Sequence, residues 1–415
     1  MSASQTVNKS RNLPNGWNVV RLGDIAQTTS GGTPRRDKPH YYGGTIPWVK
    51  SGELGDSVVY ETSETLSDEG LASSSAKVFP KGTLCIALYG ATVGKLGILG
   101  MDAATNQAVC AVFPPKELDT QYLYHFFEGK RRDLIEQGKG GAQSNISQGI
   151  IRDTLLPLPP LSEQRRIVAE IEKQFTRLEV GVAALRRVQA NLKRYRAAVL
   201  KAACEGRLID GSSDWPITSI GEITQIVTKG SSPNWQGFEY CDDGILFVRS
   251  QNVGWGYLDL SEVAHLPIGF NEKEKKSVLK SGDVLLNIVG ASIGRAAVAT
   301  IEIEGGNVNQ AVAVIRPVTN RVLAKFLVFY LLSDKAQSLI HSQKVDVARA
   351  NLSLEQIRNL VIPLPSLKEQ ARVVAEVERR LSVVDELDAV LSANLQRANR
   401  LRQSVLQKAF AGNLC

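Results

Sequence analysis

The sequence predicts an α+β protein: two α/β domains in tandem, separated and followed by long helices that pair as an antiparallel coiled coil, with approximate twofold symmetry. Three observations predict it. The second half of the chain repeats the first, each copy opens with a β-rich stretch, and each closes on about forty residues of heptad-spaced apolar positions.

The repeat comes first because it fixes the architecture before any element is assigned. Trp17 and the following RLGDIAQTTSGGTP recur as Trp215 and SIGEITQIVTKGSSP, and KGTLCIALYGATVGK from Lys81 recurs as SGDVLLNIVGASIGR from Ser281. Asn106-Gln107-Ala108-Val109 matches Asn309-Gln310-Ala311-Val312, and NISQGIIRDTLLPLPPLSEQRRIVAEIE from Asn145 matches NLSLEQIRNLVIPLPSLKEQARVVAEVE from Asn351. The register drifts from 198 to 206 residues, so the changes in length fall between motifs: shared segments are scaffold, divergent ones loops.

Each copy then divides in two. Its first part joins β-rich runs, Gly82 to Tyr89 and Ser281 to Val289, to apolar helices around Tyr122 to Phe127 and Val322 to Leu332. Proline punctuates the change, in LPLPP (Leu156 to Pro160) and IPLP (Ile362 to Pro365), and a helix is expected to start just after each. Ser162 and Ser366 stand near the expected N-caps, with Glu163 and Glu369 in the first turns. One apolar line then runs through Ile171, Leu178, Leu185, Leu192 and Val199, flanked by Val168, Phe175 and Val182. Its counterpart runs through Val377, Val384, Leu391, Ala398 and Val405, flanked by Val374 and Leu381. Both segments end near a glycine, Gly206 and Gly412. A helix of this length outruns a domain of about 145 residues, so part of its stripe needs another helix, and the other copy is the obvious mate. The expected extents are a leader at 1–15, a first domain at 16–157, a central helix at 158–206, a second domain at 207–362 and a distal helix at 363–415.

Composition sets outer limits. A net charge of +7 suits a polyanionic partner without demanding one. The five cysteines, Cys85, Cys110, Cys204, Cys241 and Cys415, form no C-x-x-C pair, so neither a zinc site nor a disulfide framework is indicated, and a reducing cytoplasm fits best. No signal-peptide core or bilayer-length apolar run is present, so no membrane is expected as a partner.

Catalytic signatures are missing. The Asn/Asp-Pro-Pro motif with which amino-methyltransferases grip a flipped base does not occur. Gly90, Gly94 and Lys95 come close to a phosphate loop, but the spacing is one residue short and Leu96 follows. Both this segment and its counterpart, Gly290, Gly294 and Arg295, read as strand-turn-strand. The histidines, His40, His125, His265 and His341, sit at unmatched positions, and no catalytic, cofactor-binding or metal-binding residue is expected.

The opening LPNGWNVVRLGDIAQTTSGGTP, the paired LPLPPLSEQRRIVAEIE and IPLPSLKEQARVVAEVE, and the closing KAACEGRL and QKAFAGNL together resemble the specificity subunits of type I restriction-modification systems, over nearly the whole chain. The resemblance implies that each domain is a target-recognition domain for one half of an asymmetric bipartite DNA site. It implies that the helices fix the spacer between the halves, hold two methyltransferase subunits, and so form a measuring rod. By analogy those subunits methylate adenine with S-adenosylmethionine, this chain binds no cofactor, and restriction/translocase subunits complete the complex.

Contacts to double-stranded DNA are then expected from the divergent polar loops, since Lys and Arg bind phosphate while amides, hydroxyls and aromatic rings meet base edges. The first domain offers Thr33, Arg35, Arg36, Lys38, Tyr41, Lys139, Gln143 and Ser144. The second offers Lys229, Ser231, Asn234, Trp235, Arg249, Gln251, Asn252 and Arg349. Asn145 and Asn351 occupy matching positions, which points to a shared structural role. Two other readings stand beside this one. A protein scaffold would show no salt-dependent DNA binding, and a self-contained enzyme would modify DNA unaided.

Overall fold

The computed structural model describes residues 13–138, 145–210, 215–342 and 351–414. They divide into two compact units, 1–185 with 393–415, and 186–392. Each unit therefore combines one β-rich domain with half of each long helix, Leu161–Cys204 and Leu367–Phe410.

In the first unit the main sheet orders its strands Gln27–Ser30, Val109–Phe113, Leu84–Ala87, Leu96–Leu99 and Ser57–Val59. Strand periodicity assigns its two faces. Leu84, Ile86, Cys110 and Val112 face the helix Thr120–Gln137, whereas Cys85, Ala87, Val109 and Ala111 pack with Val49, Leu54 and Phe79 near a second sheet built around Tyr42–Val49. Burial on both faces is why these strands read as unbroken apolar runs.

The second unit repeats the plan. Thr224–Lys229, Val312–Pro317, Val284–Asn287 and Ala296–Val298 follow one another in the main sheet, and a smaller sheet is centred on Ile245–Val248. The helix expected over Val322 to Leu332 is present as Ala324–Leu331, and a second helix, Asp334–Ser342, follows it, with the buried Ser333 hydroxyl accepting from Ala336 N at 3.4 Å at its start.

The glycine-rich segments are turns, as the sequence implies: Gly90, Gly94, Gly290 and Gly294 all have positive φ. Asn145 and Asn351 share a role too, each forming an isolated bridge just beyond a main-sheet strand, to Tyr89 after Leu84–Ala87 and to Val289 after Val284–Asn287. The proline segments do more than punctuate. Leu155–Leu158 pairs antiparallel with Asn18–Arg21, and Val361–Pro363 with Ile217–Ser219, so each forms a short strand that ties the end of its domain to the beginning.

The long helices start and stop close to where expected. Ser366 caps the distal helix in a reciprocal box with Glu369, each accepting from the other's backbone N–H. Ser162 makes no equivalent: it is the second residue of its helix, and Pro160 occupies the position matching Ser366. Gly206 (φ +71°) and Gly412 (φ +74°) end the helices, with Arg207 N reaching Ala202 O at 2.9 Å and Asn413 N reaching Lys408 O at 2.8 Å.

The two helices pair antiparallel within each unit. In the first, the Arg402 guanidinium lies 4.0 Å from the Phe175 ring centroid and 3.3 Å from Glu179; in the second, Gln189 donates to Asp388 at 3.2 Å, and Arg196 pairs with Asp385. The heptad positions divide their labour. Ile171, Val199, Val377 and Val405 belong to the cores of the globular parts, while Val384 and Leu391 are buried and Leu178, Leu185 and Leu192 half-buried along the middle.

Two identical latches bind helix to domain. The fully buried Gln164 accepts from Asp119 N at 2.8 Å and donates to Glu117 O and Pro159 O, both at 2.9 Å. Gln370 does the same with Leu323 N at 2.8 Å, Arg321 O and Pro365 O. Each side-chain amide thus holds three backbone groups, one N–H through its oxygen and two carbonyls through its nitrogen.

Burial also decides the cysteine chemistry. Desolvation pushes the Cys110 and Cys204 thiols up to about 12 and the Cys85 thiol well up, whereas Cys241 is only half-buried. Among the described cysteines, Cys241 is expected to be alkylated by iodoacetamide in the native protein while the other three stay unmodified. Mass spectrometry of the digested product reads the difference.

Candidate nucleic-acid interface

In each unit a loop leaves the first strand of the main sheet and crosses close to the second sheet. The crossing needs glycine. A Cβ on Gly31 would lie 1.9 Å from Thr105 O, and one on Gly230 would lie 1.7 Å from Val308 O. Beyond these glycines the sequences diverge, and the polar candidates follow.

In the first unit Lys38 is exposed, and no polar partner holds its side chain among the described residues. Arg35 is exposed and forks onto Asp37 at 2.7 Å and 3.1 Å, so its charge is partly balanced before any ligand arrives. The Thr33 hydroxyl bonds to Gln107, and the half-buried Tyr41 meets His40 edge to face. Arg36 is structural in character. Its guanidinium stacks 4.6 Å from the Tyr42 centroid and 5.0 Å from that of Trp48, and it reaches Glu64 at 2.5 Å. Glu64 also accepts from Lys50 at 2.6 Å, and these hydrogen bonds, Arg36 first and Lys50 second, hold its carboxyl below the usual range.

In the second unit Lys229, Asn234, Trp235 and Gln251 present exposed side chains without a polar partner among the described residues, and Trp235 is 81% exposed. Ser231 accepts from Gln236 at 2.9 Å, which also donates to Glu274 and so braces the loop. Arg249 lies half-buried, 6.0 Å from the Tyr240 ring centroid, and donates to Glu262 O at 3.2 Å.

Asn252 departs from its expected role. It is 3% exposed; its carbonyl accepts from Arg249 N at 2.9 Å, and its amide donates to Asp259 O and Glu262 O. With both ends engaged it shapes the turn and presents nothing to solvent. Lys139, Gln143, Ser144 and Arg349 lie outside the described residues.

Sequence reasoning missed two features. Lys50 and Arg249 stand at matching positions, each just before a short turn of helix, Ser51–Glu53 and Ser250–Asn252, so both units carry a cation there. The aromatic hairpin that follows in the second unit, with Trp255 and Tyr257, also went unnoticed. An aromatic pair at a place where the copies diverge was the available signal.

No group of histidine, cysteine and acidic side chains arranged to hold a metal occurs among the described residues, and no helix there is long and apolar enough to cross a membrane.

The type I restriction modification DNA specificity domain matches residues 14–181 and again 212–391. The EcoBI specificity subunit of Escherichia coli is 30% identical over 331 residues, covering 75% of this chain and 69% of that protein. The EcoKI specificity subunit of Escherichia coli K12 is 24% identical over 427 residues, covering 97% and 90%. Among solved structures, a chain described under complex assembly and conformational transition of the type I R-M system aligns with a TM-score of 0.76 at 23% identity, over 97% of this chain and 99% of that one. The HsdS subunit from Thermoanaerobacter tengcongensis aligns with a TM-score of 0.56 at 23% identity, over 97% and 98%.

Proposed function

This chain belongs to the family of type I restriction-modification DNA specificity subunits, and on that premise we propose that it reads an asymmetric bipartite DNA site, one half with each unit. The observation that carries the proposal is a scaffold kept twice with its loops changed. Strand order, proline strand and glutamine latch recur in both units, while the loops after Gly31 and Gly230 share little. Reading two different half-sites requires such divergence on a common frame.

Lys38, Arg35 and Lys229 would serve phosphates, and Thr33, Tyr41, Ser231, Asn234, Trp235 and Gln251 base edges and sugars. Arg36 and Asn252 would act by holding their loops in shape. The paired helices would set the spacer and dock two methyltransferase subunits. Those partners would supply adenine methylation with S-adenosylmethionine, restriction/translocase subunits would complete the nuclease, and the assembly would work in the cytoplasm. This chain would supply specificity and leave catalysis to its partners.

Mapping methylated adenine in host DNA with and without the chain tests this directly. A bipartite, asymmetric motif should be methylated in the first case and lost in the second; an unchanged pattern would remove the proposal. Affinity of the assembled complex for that motif should also fall steeply with salt, as expected when several phosphates are neutralised.

A further inference from the structure

The hairpin that follows Asn252 in the second unit is built to hold two aromatic rings in water. Its root is in the core: Val253 is fully buried and bridges to Leu258. Its tip is pinned by Gly254 N to Tyr257 O at 2.9 Å and by Gly256 N to Ala296 O at 2.9 Å, with Gly256 at φ +91°. A Cβ on Gly254 would lie 2.5 Å from the Tyr257 ring, so the glycine lets that ring lie against the backbone. Trp255 is nevertheless 50% exposed and Tyr257 61% exposed.

Cations flank it on both sides. Arg249 precedes the root, and Arg295 adjoins Ala296, which receives the tip; each has a buried Nε without a hydrogen-bond partner among the described residues. The first unit keeps cations at the matching positions, Lys50 and Lys95, and exposes Tyr60 nearby, but no pair of tryptophan and tyrosine stands at this tip among its described residues. There Asp56, at φ +59°, donates its N–H to Leu96 O at 2.9 Å in the same way, but its carboxylate is held by Arg131 and Leu96 N.

We propose that this tip is a preformed stacking element for duplex DNA, with Trp255 and Tyr257 lying against bases or sugars of the half-site assigned to the second unit. The inference rests on the function proposed above. A rigid tip loses little freedom on binding, exposed rings gain contact area, and the arginines suit phosphates on either side. The two half-sites are then engaged by different means: the second unit senses how readily its base steps open, and the first does not.

The test uses the chain assembled with its modification subunits and a duplex carrying the motif mapped by methylation. The variant Trp255→Ala with Tyr257→Ala is expected to bind this duplex roughly ten- to a hundredfold more weakly. It should lose discrimination at base changes in one half-site only, and Trp255→Phe with Tyr257→Phe should regain most of both. Equal affinity of the alanine variant and the unaltered chain overturns the inference. So does failure of the alanine variant to assemble while its own melting temperature is unchanged, since the tip then docks protein. If the unaltered complex itself ignores the mapped duplex, the function proposed above fails and takes this inference with it.

Discussion

Replacing Asp283 with alanine is expected to destabilise the second unit by about 3–5 kcal/mol, read by urea denaturation. Asp283 is 1% exposed and grips Arg316 through two bonds of 2.7 Å and 2.8 Å, while the same guanidinium donates to Val278 O at 3.0 Å. Hydrogen bonding to Asp283 holds the arginine above its ordinary range, so removing the carboxylate leaves a charge that cannot shed its proton.

The first unit supplies the control. Thr83 stands at the position of Asp283, and Phe113, packed edge to face on Phe79 with centroids 5.5 Å apart, stands at that of Arg316. The double variant Asp283→Thr with Arg316→Phe should therefore recover most of the loss, because it removes both buried charges together and installs the pair the first unit uses, where the Thr83 hydroxyl donates to Pro80 O at 2.7 Å. Equal destabilisation of the single and double variants would refute the explanation.

The second large effect concerns the latches. Gln370→Ala leaves one N–H and two carbonyls without partners where helix, proline strand and domain meet, and an expected loss is about 3 kcal/mol. Gln370→Met keeps the length and removes the polarity, so it should lose about as much; recovery by methionine would show that packing, not hydrogen bonding, is at work. Gln164→Ala should behave alike in the first unit, where the same three kinds of bond are made. Protease susceptibility near each helix start offers a local readout beside global unfolding.

Much of this was legible in the sequence. Heptad spacing from Ile171 to Val199 and from Val377 to Val405 located both helices, and Gly206 and Gly412 their ends, because period and capping are local properties. Matched segments such as KGTLCIALYG and SGDVLLNIVG located the strands. The latches were also in view: a Glu-Gln pair sits at the same place in both copies, yet nothing local says that glutamine turns inward to satisfy a distant loop.

The candidate interface was less legible. Arg36, Arg35 and Lys38 look alike in sequence, and only the position of Glu64, nearly thirty residues on, separates the clamped cation from the free one. Asn252 likewise looks like a base-reading amide until the carbonyls of Asp259 and Glu262 are placed against it.

The make-up of the first unit has a consequence for how the protein is born. Phe410 lies edge to face on both Tyr122 and Phe126, at 5.1 Å and 5.3 Å between centroids, although it is translated roughly 280 residues later. At ordinary rates of synthesis those two rings wait on the order of a quarter of a minute to a minute for their cover. During that interval the nascent first domain leaves the apolar faces of Tyr122 and Phe126 without their cover, so a chain that stops short of Phe410 is expected to aggregate more readily than the complete one.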